Sequence, residues 1–301
     1  MKFGFTDEQL AFRDAVRDLL EKECSPAHLR DAWTNDTGRI PGLWDQLVEM
    51  GVVGMLAPEA TGGLGLTMVD LVLILEETGR YAVPEPIVET AAFGVPWLDR
   101  ADLTVATAPA LVPWADTADV VLTAQGVYAR ETRKLRPRSS VDGSRRLFEV
   151  HGPVEPPAAA ERLDAANVRG VCGTAAQLCG LTDRMLEMTA AYVKERRQFG
   201  VPVGSFQAVK HHLADARIAL EFSRPLVYRG AATLDPVHVS MAMAKAADTA
   251  LLTARAALQC HGAIGYTTEY DLHLYMKRAW ALARAWGDAH SHRSRVANAI
   301  L

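Results

Sequence analysis

Two long runs of helically spaced apolar residues in the second half of the chain restrict its fold more than any other feature. The first run comprises Leu178, Leu181, Met185, Met188 and Tyr192, at spacings of three and four. The second run has similar spacing and comprises Phe206, Val209, Leu213, Ala216 and Leu220. Each run places an apolar stripe along one side of a helix. We therefore expect two long helices that pack as neighbours.

Further helical segments extend this pattern. An Ala- and Met-rich segment runs from about 239 to 258, and a last one starts near Leu272. Short connections join these segments, and four such helices predict a four-helix bundle. In the first half, Thr6 and Gln9 form a capping box that predicts a helix starting at Asp7. Further helices are expected near 44–50 and 68–81, the latter ended by two prolines.

The middle of the chain has a different texture. Between 104 and 157, short β-branched pieces such as ADVVLTA and RLFEV alternate with Pro, Gly, Asp and Ser, which indicates a small β region. The strand–helix alternation of a doubly wound sheet is missing. The sequence therefore predicts a mainly α protein with three parts: an N-terminal helical domain (1–103), a reduced β domain (104–157) and a C-terminal four-helix bundle (158–301).

Composition excludes several function classes. The formal net charge of −4 over 301 residues offers no basic surplus for nucleic acid. No apolar run approaches the length of a membrane span. The four cysteines are scattered, which fits a reducing cytoplasm. His290 and His292 are two residues apart and would lie on different helix faces, so we expect no metal site.

Two loops between bundle helices could carry chemistry. In ERRQFGVPVGSFQAV, Arg196 ends one helix before a Gly/Pro loop and could fork onto a phosphate pair, although basic residues also cap helix C-termini. In QCHGAIGYTTEY, Gln259, Gly262 and Gly265 would let a ligand approach the backbone closely. Both loops are also compatible with simple turns between helices.

The same stretches carry a resemblance to a known family. ERRQFGVPVGSFQAVKHHLAD resembles the RxxFG loop and following helix of the acyl-CoA dehydrogenases, and QCHGAIGYTTEYDLHLYMKRA resembles their QxxGGxGYxxEY signature. FTDEQLAFRDAVRDLL and LAPEATGGLGLTMVDLVLILEETGR are similar to their first domain. The resemblance covers nearly the whole chain in order. It implies a helical domain, a β domain and a four-helix domain around FAD and an acyl-CoA thioester.

In that family the two loops reach across a subunit interface to the adenosine and pyrophosphate of a neighbour's FAD. Carried over by position, the resemblance implies that the following residues contact the cofactor: Arg196, Gln198, Phe199, Gln259, Gly262 and Ala263. The family has a second glycine where this chain has Ala263, which puts a close approach of the backbone at that point in doubt.

This chain departs from the family at the catalytic base. The family's reaction needs a glutamate that removes the α-proton while the β-hydride goes to the flavin. Members place that glutamate at one of two positions, which correspond here to Trp286 and Gly170. Neither residue can accept a proton, so we expect the tryptophan to fill the space of the base. Asp288, treated as part of the same helix, should point away from that space, and Glu269 is expected to pair with Lys277 or Arg278.

The β region departs from the family too. It is about fifty residues long, shorter than is usual in the family, and has no counterpart of the TEPxAGSD-like segment that holds the flavin. The resemblance is therefore to the truncated, non-catalytic subunit of the α2β2 steroid side-chain dehydrogenases of actinobacteria. It implies an assembly with a full-length partner, a shared FAD, an acyl-CoA substrate and an electron-transfer flavoprotein or similar acceptor. Two alternatives stay open: a self-sufficient homomer with an atypical base such as Asp288, and a flavin-free scaffold or acyl-CoA-binding protein.

Overall fold

The computed structural model describes residues 4–108, 110–156 and 160–301. Helices dominate the first hundred residues, where the expected capping box is present: Thr6 Oγ1 accepts from Gln9 N at 3.2 Å, and Thr6 N donates to Gln9 Oε1 at 2.9 Å. The first helix begins at Asp7, as the capping box predicts. The helices of this part are α1 (Asp7–Glu23), α2 (Pro26–Thr34), α3 (Leu43–Glu49), α4 (Met68–Arg80), a π-helical segment (Val88–Gly94) and α5 (Val95–Leu98).

Three of these elements, α2, the π-helical segment and α5, escaped sequence reasoning. α2 is capped by Ser25 and starts with Pro26, a combination that favours a helix N-terminus. Pro84 and Pro86 end α4, as expected, but the chain resumes helical geometry within a few residues, in the π-helical segment Val88–Gly94. This segment is buried along its whole length and packs against the bundle. Tertiary packing therefore forms a helix where local sequence predicts only a break.

The β region consists of two small three-stranded sheets. One has the order β1–β3–β4, with β1 and β3 parallel, and the other has the antiparallel order β2–β6–β5. The strands are β1 (Val105–Thr107), β2 (Val112–Pro113), β3 (Val120–Thr123), β4 (Gly126–Ala129), β5 (Lys134–Arg138) and β6 (Leu147–His151). Ala106, Val112, Val121 and Phe148 form a separate small core between them. The sheets are thus a minor layer beside a helical protein.

The C-terminal half forms the expected bundle, with a broken last member. Its helices are α6 (Leu163–Glu195), α7 (Gln207–Thr233), α8 (Pro236–His261), α9 (Leu272–Leu282) and α10 (Ala289–Ile300), and a small hairpin of β7 (Arg197–Gln198) and β8 (Val201–Pro202) joins α6 to α7. The segment that the sequence presents as one helix from Leu272 ends at Leu282. A connector of residues 283–288 separates it from α10. Trp286 therefore lies in the connector and not in a helix.

Helix α6 is positioned by a close crossing with α4. A Cβ placed on Gly180 would lie 1.9 Å from the carbonyl oxygen of Glu76, and one on Gly79 would lie 2.1 Å from that of Gln177. Both positions therefore need glycine, because a side chain on either would collide with the backbone of the other helix. This crossing fixes the position of α6 along its axis relative to α4.

A buried arginine joins the β region to α9. Arg278 donates to the carboxylate of Asp142, to Ser144 Oγ at 2.7 Å and to the carbonyl oxygen of Val83 at 2.7 Å. Both charged groups are almost fully shielded from solvent. Breaking such a pair by removing one partner costs about 3–5 kcal/mol. No helix in the described ranges is both long and apolar enough to cross a membrane.

Candidate functional site

The first candidate loop is a tight hairpin at the end of α6. Its turn residues Phe199 and Gly200 have φ values of +54° and +81°, the paired positive values of a type I′ turn. A non-glycine residue in this conformation is uncommon, and the turn places the Phe199 ring in solvent with 91% of its surface exposed. Arg196 and Gln198 in the same hairpin are exposed as well. The hairpin thus presents an aromatic ring, a guanidinium and an amide to solvent.

The second candidate loop follows α8. Gly262 has φ +66° and ψ −142°, a backbone region open essentially only to glycine, and nothing lies within 4 Å of the position that a Cβ would take. A short 3-10 helix, Gly262–Tyr266, follows. Gln259 and Ala263 are exposed beside Gly262. Ligand atoms could therefore reach the backbone at Gly262, whereas a methyl group stands at the neighbouring position.

The structure brings these two loops together at one end of the bundle. The ring of Tyr192, near the end of α6, stacks on the ring of His261 at a centroid distance of 4.4 Å. Tyr270 packs against the other members of this group, with its ring 4.7 Å from that of His261. Burial lowers the pKa of His261, so its ring is neutral near pH 7. The aromatic stack fixes the spacing between the ends of α6 and α8, from which the two loops extend.

The two loops expose groups that could bind an anionic ligand carried by another chain. No described carboxylate lies within 4 Å of the Arg196 guanidinium. The six residues implied by the resemblance are all exposed: Arg196, Gln198, Phe199, Gln259, Gly262 and Ala263. An arginine fork and an amide are donors that bind phosphate oxygens. These residues therefore fit the pyrophosphate and adenosine of FAD, with Ala263 as the one less favourable position.

The two positions that the resemblance assigns to the catalytic base, Gly170 and Trp286, lie in direct contact. A Cβ placed on Gly170 would be 2.8 Å from both Cη2 and Cζ2 of Trp286. The indole is 7% exposed and packs 5.6 Å from the ring of Phe93, which in turn meets Trp97 edge to face. A single indole thus covers both positions, and Gly170 leaves the room for it. An aromatic cluster therefore fills the positions that the resemblance assigns to the base.

The carboxylates that the sequence offers as substitutes for a base are either a helix cap or exposed to solvent. Asp288 caps α10 and accepts from Ser291 N at 2.8 Å and Ser291 Oγ at 2.7 Å. These hydrogen bonds lower the pKa of Asp288, which makes it a weaker base. Asp288 is the N-cap of α10 and not part of α9, so the expectation that treated residues 286 and 288 as one helix was wrong. Asp164 and Glu161 are exposed.

Sequence reasoning missed one buried carboxylate close to the aromatic cluster. Glu89 lies one helical turn before Phe93 and is 5% exposed, and its Oε1 is 3.7 Å from Arg145 Nη2 of the β region. Burial raises the pKa of Glu89, and Arg145 acts against that rise. The pair crosses from the π-helical segment to the β region. It is an internal ion pair that joins these parts, and no sequence motif announces it.

One predicted pairing is wrong. Glu269 makes no salt bridge among the described residues, because Arg278 is committed to Asp142 and the ammonium group of Lys277 lies 5.2 Å from the ring centroid of Trp33. Glu269 is exposed. As for metals, no group of three potential ligands is found in the ranges that the structure describes.

Comparison with known proteins identifies relatives of this chain. Residues 169–301 match the family model "Acyl-CoA dehydrogenase, C-terminal domain", and residues 6–96 match "Acyl-CoA dehydrogenase, N-terminal domain". The acyl-CoA dehydrogenase IpdE2 of Mycolicibacterium smegmatis is 32% identical over 97% of this chain and 98% of its own length. IpdE2 of Mycobacterium tuberculosis is also 32% identical, over 92% of both chains.

Solved structures show the same fold. A chain of the ChsE4-ChsE5 complex from Mycobacterium tuberculosis superimposes with a TM-score of 0.87 at 22% identity, covering 99% of this chain and 98% of that one. A variant of the Tcur3481-Tcur3483 steroid ACAD gives a TM-score of 0.86 at 22% identity, with 98% of each chain covered.

Proposed function

The chain belongs to the acyl-CoA dehydrogenase family, flavoprotein oxidoreductases, and on that premise we propose that it is the subunit without a catalytic base in a heteromeric member. A full-length partner supplies the glutamate and most of the flavin pocket, in an α2β2 assembly. The reaction is the α,β-desaturation of an acyl-CoA thioester. Within this chain we propose a division into an N-terminal helical domain (1–103), a reduced β domain (104–157) and a bundle (158–301).

The contact between Gly170 and Trp286 carries this proposal. Proton abstraction at the α-carbon requires a carboxylate against the thioester. A buried indole occupies that place in this chain, and Asp288 is engaged as a helix cap. Restoring a base at either position would require displacing the indole. This arrangement supports removal of the proton by a group from another chain.

The exposed loops at the end of α6 and α8 support the second part of the proposal, in which this chain completes a partner's FAD site. FAD supplies the hydride acceptor of the reaction. Arg196 and Gln198 would bind and orient phosphate oxygens, Phe199 would cover an apolar part of the cofactor, and Gln259 with the backbone at Gly262 and Ala263 would hold the adenosine side. All these groups face solvent in the single chain. Two chains are needed to enclose them.

Exposed apolar side chains support assembly through the bundle. Tyr266 is 78% exposed beside the second loop, and Phe222 and Ile218 are 67% and 55% exposed one turn apart on α7. Phe199, 91% exposed, is a further exposed aromatic side chain on the first loop. Large exposed apolar areas mark protein interfaces. We propose that the full-length partner covers these side chains.

The substrate class is proposed from the solved structures that share this fold. A structure with the same fold is described as a steroid ACAD, and another is a complex of two different chains. We therefore propose a steroid side-chain acyl-CoA substrate, a cytoplasmic enzyme, and re-oxidation by an electron-transfer flavoprotein or a similar acceptor.

Co-expression with a full-length acyl-CoA dehydrogenase from the same organism tests the proposal. We expect a complex with bound FAD that desaturates an acyl-CoA, and a Glu→Gln change of the partner's base should abolish turnover. The matched variant in this chain, Trp286→Phe, should leave kcat within about twofold, because an aromatic ring still fills the site. If this chain alone purifies with FAD and desaturates a thioester, the proposal fails.

The closed aromatic cluster also favours a second candidate, a flavin-free scaffold or acyl-CoA-binding protein. Native mass spectrometry of the assembled complex separates the two, since a scaffold would form a complex without any flavin. A self-sufficient homomer is disfavoured by the capping role of Asp288, and full turnover of an Asp288→Asn variant would remove that residue from consideration.

A further inference from the structure

Positive charge is concentrated on one side of strands β5 and β6. Residues 130–138, RETRKLRPR, contain five arginine or lysine residues and one glutamate, in a chain whose formal net charge is −4. Alternate residues of a strand point to the same side of the sheet, so the three exposed cations Lys134, Arg136 and Arg138 of β5 share one side. The surface that they form with their partners on β6 is here called the basic face, and it comprises Lys134, Arg136, Arg138, Leu147, Glu149 and His151.

The other side of the two strands is turned inward. Leu135 of β5 and Val150 of β6 are paired in the sheet and pack against the small core of the β region. The alternation of strand side chains therefore turns the basic face towards solvent.

The basic face contains a single carboxylate, and Arg138 already engages it. Glu149 Oε1 accepts from Arg138 Nε at 2.9 Å and from Arg138 Nη2 at 2.5 Å, and these hydrogen bonds lower the pKa of Glu149. Arg136 lies 3.8 Å from the second oxygen of the same carboxylate. The Lys134 ammonium group makes no ion pair with any residue that the structure describes. The basic face thus keeps a positive excess, centred on Lys134 and Arg136.

Strand β5 is also an unpaired edge, because it is the outer strand of the order β2–β6–β5. Pro137 lacks the backbone N–H that a further strand would need, so recognition at this edge falls to side chains. Charges and proline on an edge strand also deter aggregation, but that role does not require charges of one sign on one side. The outer strand of the other sheet, β4, has no charged residue, and its Val127 instead pairs with the backbone of Glu155.

We propose that the basic face binds an extended acidic segment of a partner protein, with carboxylates at every second residue facing Lys134, Arg136 and Arg138. Cations on alternate residues of a strand repeat about every 7 Å, and carboxylates on alternate residues of an extended chain repeat at the same distance. One exposed ion pair contributes little, so binding depends on several pairs forming in register. Guanidinium groups add fork-shaped hydrogen bonds to carboxylates. The inference does not rest on the heteromeric function proposed above.

The composition of the basic face favours a protein segment over a nucleic acid. Single-stranded nucleic acids are bound by basic grooves in which bases stack on aromatic side chains. The basic face has no Phe, Tyr or Trp, and its one ring, His151, lies at the end of β6. Glu149, in the middle of the face, would repel a phosphate backbone that follows β5.

Three fluorescein-labelled peptides test the charge and the spacing. The first has five Glu-Thr repeats, the second has the same ten residues as five Glu followed by five Thr, and the third has five Gln-Thr repeats. Binding is measured by fluorescence anisotropy on the full chain, in the assembly in which it purifies. We expect the alternating acidic peptide to bind at least about tenfold more tightly than the neutral one, and about threefold more tightly than its block isomer.

Charge-removing variants then locate the site. Lys134→Gln combined with Arg136→Gln should weaken binding of the alternating acidic peptide about tenfold or more. Lys210→Gln combined with Arg255→Gln is the matched control, because it removes two exposed positive charges from α7 and α8, and it should leave binding within about twofold. Circular dichroism spectra and melting midpoints of both double variants should match the unmodified chain, as for other exposed positions. Arg138 is kept because it holds Glu149.

Four results would overturn the proposal. Two concern the peptides: equal affinity for the alternating acidic and the neutral peptide, or block-isomer binding as tight as that of the alternating peptide. The third is unchanged binding of the acidic peptide in the Lys134→Gln, Arg136→Gln variant. The fourth is binding of labelled oligothymidylate or of phosphatidylglycerol vesicles that is tighter than peptide binding and lost in that variant, because it would assign the basic face to a nucleic acid or to a lipid surface.

Discussion

The contact between Gly170 and Trp286 makes a quantitative prediction for a double-mutant cycle. In Gly170→Ala the new methyl group would lie 2.8 Å from two carbons of the indole, about 1 Å closer than the preferred separation of roughly 3.5–4.0 Å. The indole has little room to retreat, because Phe93 packs against it. Overpacking of this kind costs about 1–3 kcal/mol, and the better helix propensity of alanine returns about 1 kcal/mol. We expect a net loss of about 0–2 kcal/mol.

Shortening the opposing side chain should reverse the sign of this effect. In a Trp286→Leu background the clash is absent, so Gly170→Ala should stabilise the fold by about 1 kcal/mol through helix propensity alone. The two backgrounds should therefore differ by about 1–3 kcal/mol. Urea unfolding followed by circular dichroism at the helix band measures all four variants, each in the same assembly state.

A glycine elsewhere on α6 provides the control. A Cβ on Gly173 would also make a contact of 2.8 Å, but with Leu75 Cδ1. Gly173→Ala should therefore have the same effect with Trp286 or with Leu at position 286. A coupling below about 0.5 kcal/mol between Gly170→Ala and Trp286→Leu is the level of independent sites. Such a result would show that the indole does not cover Gly170.

Three further predictions follow from groups around the two sites. His292 is fully buried, and its pKa is lowered to about 4. Its contribution to the unfolding free energy is therefore fully present above the unfolded pKa of about 6.5 and is lost as the pH falls towards 4. In His292→Gln, the unfolding free energy should decline less between pH 7 and pH 4. Asp288 has a lowered pKa as a helix cap, so Asp288→Asn should lower Tm near pH 7 more than near pH 3, and equal shifts at both pH values would contradict the capping role. Phe199→Ser should leave the unfolding free energy of the chain within about 0.5 kcal/mol, as for other exposed positions, while sedimentation velocity should show weaker assembly with the partner; unchanged assembly would exclude this ring from the interface.

Local sequence signals predicted the parts of the fold that local interactions determine. The capping box at Thr6 and Gln9 gave the correct start of α1, and the apolar stripes of α6 and α7 gave the bundle. α2 was missed even though Ser25 caps it and Pro26 follows. Pro84 and Pro86 correctly end α4, but the helical segment behind them depends on burial against α6, which no local pattern contains.

The candidate site was also predicted only in part, because local sequence patterns do not show contacts between distant segments. Motif counting identified Gly170 and Trp286 separately, 116 positions apart in the chain, and only the folded structure shows that they touch. The Glu89–Arg145 pair and the commitment of Arg278 to Asp142 are contacts between distant segments, so spacing along the sequence could not reveal them. The expected pairing of Glu269 with Arg278 was wrong because Arg278 instead pairs with Asp142, a residue far away in the sequence.

The break between α9 and α10 has a consequence for how such a subunit can arise. Residue 286 lies in the connector between α9 and α10, and each of these helices ends with its own hydrogen bonds. Ala283 N donates to Ala279 O at 2.9 Å at the end of α9, and Asp288 caps the start of α10. Exchanging a carboxylate for an indole there disturbs no helical ladder. Under the proposed function, a replacement at residue 286 therefore removes the base without altering the helices on either side.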